Sequence, residues 1–356
     1  MNRINALKQV AFRKGGFDSF IVFNSSNLTY FTGFSGASAL LIPENGENTV
    51  YVYGVNYAQA KAELAEVKVE LVERGENLID KIAKQAKAFK IEKLAVDSLT
   101  IESWRALTKS LGSEKTLATD PNFIRDLRKV KDAKEIELMR KAAELTSEGM
   151  RAARETLAAG MREYEVAAEI EYAMRKQGCY GTAFDTIVAS GVSSAFPHGG
   201  CSDRKIRKGD LVVVDVGATY KSYRSDMTRT FTAGKPSEKQ EKLYQVVKTA
   251  QEKAFEAVKP NVKAADVDAT ARKIIADAGY GEYFVHNLGH GVGLEIHEPP
   301  TLSPDSKDVL AEGNVVTVEP GVYLVGYGGI RLEDTLLLQR KGAEKLTEGQ
   351  STLNKE

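Results

Sequence analysis

Four carboxylates in this chain stand where apolar strand residues are expected. Asp215 interrupts LVVVDVG, Asp226 opens DMTRTF, Glu319 interrupts VVTVEPG and Glu333 interrupts IRLEDTLLL. A carboxylate buried alone is costly even after relaxation, so each needs a counter-charge. Arg224, Arg229 and Arg331 offer ordinary buried salt bridges, and for any single acid that reading is as good as a functional one. The spacing is more specific. A turn around Tyr220-Lys221 would fold Asp215 and Asp226 opposite each other, and a turn near Gly326 would bring Glu319 across from Glu333. The chain also concentrates its histidine: three of four, His286, His290 and His297, lie in VHNLGHGVGLEIHEPP. Gly289 and Gly291 flank His290 and Gly293 follows, which permits close backbone approach. Taken alone, that run reads equally well as a glycine-rich turn with incidental histidines. Together with four acids it reads as a metal site, because two divalent cations balance four negative charges. Oxygen donors with one imidazole and no thiolate suit manganese, cobalt, iron or zinc. Two such ions, about 3.5–4 Å apart, hold a bridging hydroxide and polarise a carbonyl. The implied chemistry is metal-assisted hydrolysis.

The elements that must position these groups fall into two domains, as a length of 356 residues suggests. Residues 1–122 alternate helices and strands and read as an α/β domain. FDSFIVF is a strand ended by the turn residues NSSN, and Asp97 closes a later strand with no obvious partner. This domain has no histidine or cysteine, which points to a structural or interaction role. Pro121 marks the boundary. Residues 123–356 read as an α+β domain, with helices against one face of a largely antiparallel sheet. Asp132 and Glu135 have capping-box spacing before a helix of about seven turns. Further helices are expected over Glu163–Lys176, Ser237–Val258 and Ala264–Ala278. Lys+Arg and Asp+Glu balance at 49 each, so no overall field attracts nucleic acid or an anionic membrane. No apolar run approaches a bilayer span, and the start of the chain does not read as a signal peptide. Two cysteines, Cys179 and Cys201, fit reduced thiols in a cytoplasmic protein.

DVG(x8)DMTRTF, HGVGLEIHEPP, VVTVEPGVY and GIRLED, in that order and spacing, resemble the pita-bread metallopeptidases. The first 120 residues, with SNLTYFTGFSG, resemble the creatinase-like amino-terminal domain of prolidases and aminopeptidases P. The likeness is nearest to compact prokaryotic prolidases, which are Xaa-Pro dipeptidases. It implies a pseudo-two-fold antiparallel sheet covered by helices, two divalent ions per subunit (manganese or cobalt, with zinc or iron as alternatives), a homodimer and a small Xaa-Pro substrate. It implies that Asp215 binds one ion, that His290 and Glu319 bind the other, and that Asp226 and Glu333 bridge them. Glu319 would also act as general base on the bridging water. His198 would reach towards the scissile carbonyl, His297 would stabilise the tetrahedral intermediate, and Thr228 and Thr317 would orient ligands, although strand packing accounts for them as simply. His286 fits packing or support of a ligand as well as it fits catalysis. Arg331, two residues before Glu333, favours the proline-specific branch and is a candidate clamp for a substrate carboxylate. Thr301 stands where prolidases often carry an arginine, so preference for dipeptides is open. The alternatives are an aminopeptidase P acting on longer Xaa-Pro peptides and, against an intact ligand set, a non-catalytic pita-bread binding protein.

Overall fold

The computed structural model describes residues 3–112, 116–119 and 122–354. Its internal contacts divide into two units, Met1–Arg128 and Lys129–Glu356. Pro121, the expected break, lies outside the described residues. In the first unit six strands form one mixed sheet, in the spatial order Lys68–Val72, Thr49–Tyr53, Ala39–Pro43, Ser19–Val22, Lys93–Val96, Thr116–Thr119. SFIV and ALLIP are buried at every position, as strands covered on both faces must be. Helices Leu78–Ala88 and Ile101–Leu111 start at side-chain caps from Asn77 and Thr100, each contributing about 1 kcal/mol. Ile82 and Leu107 from these helices meet Ile21, Leu41, Tyr51 and Leu94 of the sheet.

Two expectations for this unit fail for one reason. NSSN does end its strand, but it opens the helix Ser25–Thr32, with the Asn24 side chain accepting from Asn27 N–H. Asp97 does have partners: it accepts from Phe23 N–H at 2.8 Å and from the Asn27 side-chain amide at 2.9 Å. A carboxylate at the end of one strand thus organises the helix start after its neighbour. That is a long-range contact which local patterning does not register.

The second unit builds one arrangement twice. Helices Ala133–Thr156 and Glu163–Lys176 share a core with the antiparallel strands Ile187–Ser190, Leu211–Val216 and Met227–Thr232. Helices Glu238–Ala257 and Ala264–Asp277 share a second core with a five-stranded antiparallel sheet and the hairpin Gly321–Leu324/Gly328–Arg331. That sheet runs Glu298–Leu302, Gly289–Gly291, Val315–Val318, Asp334–Gln339, Gly342–Lys345. The capping box at Asp132 and Glu135 forms with both reciprocal bonds, and Ser237 with Gln240 makes another. The two halves join where Glu333 N–H donates to Thr228 O at 3.0 Å and Thr230 Oγ1 donates to Arg331 O at 3.0 Å. No helix among the described residues is long and apolar enough to cross a membrane.

Candidate metal centre

All four strand acids lie at this seam. The first hairpin differs from its expected register. Its turn residues are Lys221 and Ser222, both left-handed with φ of 45° and 72°, and Tyr220 pairs with Tyr223. Such two-residue turns match the twist of the strands they join. The turn lies one residue later than expected, so Asp215 pairs with Thr228, and Asp226 is its diagonal neighbour on the same face. The second pair is placed as expected: Val318 pairs with Asp334 and Gly321 with Arg331, so the ladders on both sides of Glu319 and Glu333 hold one register.

His290 sits on a strand that only glycines can flank. A Cβ on Gly289 would lie 2.1 Å from Thr317 O, and one on Gly291 would lie 2.4 Å from Pro299 O. This close approach brings His290 Nε2 to 3.3 Å from Glu319 Oε1 and 3.7 Å from Asp226 Oδ2. Asp226, His290 and Glu333 each present a ligand atom within 4.8 Å of the others. Thr228 Oγ1 donates to Glu333 Oε2 at 2.6 Å, and Thr317 Oγ1 donates to Glu319 Oε1 at 3.1 Å. Both threonines therefore orient acids as well as packing.

The electrostatics are those of an anion cluster short of cations. Burial drives the Asp226 and Glu333 carboxyls well above the usual range, and the neighbouring acids push them further. Burial raises Asp215 as well, against the opposing charge of Arg331. Glu319 is the exception: burial works to raise it, but the hydrogen bond and charge of His290 bring it down to about 2. For His290, burial is outweighed by the hydrogen bond and charge of Glu319 and by the charge of Asp226, which lift it to about 9. Asp215 Oδ1 and Asp226 Oδ1 are buried with no hydrogen-bond partner. Hard oxygen donors with unfilled lone pairs around one imidazole fit divalent ions.

The remaining histidines separate by position. The His297 ring packs edge-on to His290, with centroids 4.3 Å apart. His198 is exposed, and the carbonyl of Pro197 before it accepts from Arg331 Nη1 at 3.2 Å. His286 Nε2 meets Tyr323 Oη at 2.9 Å; that hydroxyl accepts from Arg331 Nη1 at 2.8 Å, and Arg331 Nη2 donates to Asp215 Oδ2 at 2.6 Å. One polar chain therefore runs from His286 through Tyr323 and Arg331 to Asp215. Tyr323 was not singled out from the sequence, where nothing marks a tyrosine in GVYL as polar-facing. Arg331 Nε also donates to Thr228 Oγ1 at 3.0 Å, and the residue is buried. Four of its five N–H donors are thereby held by the protein, on Thr228, Pro197, Tyr323 and Asp215. Arg229 pairs with Asp334 at 2.8 Å rather than with any of the four acids, and Arg224 pairs with none of them. Thr301 lies in the strand beside His290, its N–H on Asp308 Oδ2 at 3.1 Å. Glu298, next to His297, forms a fully buried ion pair with Lys131 at 2.8 Å.

The profile of Metallopeptidase family M24 matches residues 137–340, which contain the whole cluster. The chain belongs to this family. Residues 3–130 match the Creatinase/Prolidase N-terminal domain, so this M24 metallopeptidase combines the two parts expected of its sequence. It is 41% identical over 341 residues to the Xaa-Pro dipeptidase of Pyrococcus horikoshii, covering 96% of this chain and 95% of that protein. A prolidase crystal structure from the same organism superimposes with a TM-score of 0.92 at 40% identity, over 99% of this chain and 100% of that one. An X-Pro aminopeptidase from Thermotoga maritima superimposes with a TM-score of 0.86 at 38% identity, over 95% and 97% of the two chains.

Proposed function

We propose that this M24 metallopeptidase is a two-metal Xaa-Pro dipeptidase that hydrolyses the bond between an N-terminal residue and proline. The observation that carries the reading is the cluster of buried Asp215, Asp226 and Glu333 with half-buried His290 and Glu319, in a chain similar to Xaa-Pro dipeptidases over nearly its whole length. Asp215 would hold one ion, His290 and Glu319 the other, and Asp226 and Glu333 would serve both. When bound, such ions supply a hydrolytic nucleophile from water at neutral pH and polarise the scissile carbonyl. Glu319 would act as the general base on the attacking water. His297 donates to the developing oxyanion, and His198, exposed beyond Pro197, reaches the substrate carbonyl. Arg331 positions Asp215, and its guanidinium is fixed in turn by Tyr323 and Thr228. Manganese or cobalt are the ions we propose, with zinc and iron as alternatives. Residues 123–356 form the catalytic domain, residues 1–122 have a structural or interaction role, and the protein is a homodimer. The two free cysteines support a cytoplasmic location.

A second reading, aminopeptidase P, is supported by two observations: four of the five Arg331 N–H donors are held by the protein, and the chain resembles an X-Pro aminopeptidase. Metal-reconstituted protein offered Met-Pro and Met-Pro-Gly side by side separates the two. The dipeptidase reading predicts cleavage of Met-Pro and little of the tripeptide. Efficient cleavage of the tripeptide alone would replace it with the aminopeptidase.

A further inference from the structure

Arg224 is the arginine near the metal centre whose charge the fold leaves unmatched. Arg331 lies on Asp215 at 2.6 Å and Arg229 on Asp334 at 2.8 Å. Arg224 is half-buried and forms no ion pair among the described residues. Its guanidinium donates from Nη1 to Ala183 O at 3.0 Å, while Nε is buried with no acceptor. A guanidinium drawn out of water with unused donors is costly unless an anion joins it.

Its place is fixed from two sides. The hairpin puts Arg224 opposite Thr219, two residues before Asp226. Its backbone N–H donates to Gly293 O at 2.9 Å, in the segment that runs from His290 to His297. A cation fixed between two segments of the centre, half-buried and with Nη2 unbonded among the described residues, is set up to take a carboxylate.

Resting on the dipeptidase reading, we infer that Arg224 anchors a carboxylate of the substrate through its guanidinium. A dipeptide carries that group at its C-terminus, and carries a second when its first residue is acidic. Holoenzymes of the wild type, Arg224→Gln and Arg224→Lys are compared on Met-Pro, Met-Pro carboxamide and Glu-Pro. If the C-terminal carboxylate is the ligand, Arg224→Gln lowers kcat/KM for Met-Pro relative to its carboxamide by about tenfold or more, mainly through KM. If the first side chain is the ligand, the same loss falls on Glu-Pro relative to Met-Pro. Arg224→Lys regains part of either loss. Each readout is a ratio within one variant, so partial loss of fold cancels. Both ratios within about twofold of wild type would overturn the inference and leave the dipeptidase reading standing. Failure of the wild type on all three substrates would overturn both.

Discussion

Thr228→Val removes one hydroxyl from the centre and leaves its shape. Thr228 is fully buried, donates to Glu333 Oε2 at 2.6 Å and accepts from Arg331 Nε at 3.0 Å. Valine keeps the β-branched volume that the strand packs, and the backbone bond from Glu333 N–H to Thr228 O is untouched. A hydrogen bond to a charged group contributes about 1.5–3 kcal/mol. The substitution also removes the acceptor of Arg331 Nε, one of the contacts that hold the guanidinium beside Asp215, so a second proposed ligand is loosened as well. We expect metal affinity to fall by about 10–100-fold, in line with the loss of partners that orient metal ligands. The assay is titration of metal-stripped protein with Mn2+, followed by calorimetry and by recovery of Met-Pro hydrolysis. Thr228→Ser, which keeps the hydroxyl, should retain most of the affinity. An affinity for Thr228→Val within about threefold of wild type would refute the claim that this hydroxyl orients Glu333 for metal.

Three further outcomes follow from the same geometry. Glu319→Ala should abolish turnover while leaving the circular dichroism spectrum intact, since it removes both a ligand and the base; full activity in that variant would sink the mechanism. Lys131→Met strands Glu298 as a buried charge next to His297 and should cost about 3–5 kcal/mol in urea denaturation, most of it recovered when Glu298→Met is added. An unchanged midpoint in the single variant would show that the pair is not buried as described. The third outcome concerns pH. Asp215, Asp226 and Glu333 have carboxyls raised in the folded, metal-free protein, so their contribution to stability is complete below the unfolded carboxylate range of about 4 and is lost as pH rises through the folded values. Glu319 is lowered and acts in the opposite sense, one group against three. Divalent ions replace the bound protons, so the rise in Tm on adding Mn2+ should grow from about pH 5 to about pH 8. A rise in Tm that does not change with pH would contradict the assignment.

Much of the centre was legible because its chemistry conflicts with its surroundings. Acids inside valine-rich strands and a histidine between glycines violate the local pattern, and such violations mark function. The helices were legible from caps: Asp132 with Glu135 behaves as its spacing predicts. What escaped depends on long-range geometry. The register of Asp215 against Thr228 hinged on whether Tyr220-Lys221 or Lys221-Ser222 forms the turn, and neither dipeptide carries the glycine or asparagine that would have decided it. The partners of Arg331, Asp97 and Lys131 come from segments far away in the chain. A single sequence shows that a buried charge needs a partner but not which partner it finds. Arg331 illustrates the consequence: its spacing to Glu333 put it on the correct face, whereas its bonds to Asp215, Tyr323, Pro197 and Thr228 appear only in the fold.

The most direct test of the account is to strip the protein of metal, add back Mn2+ or Co2+ in steps, and follow Met-Pro hydrolysis together with the number of ions bound per chain. The account predicts no activity in the stripped protein and activity that rises to a plateau as two ions bind. Full hydrolysis without metal, or no hydrolysis of Met-Pro with either ion bound, would contradict it.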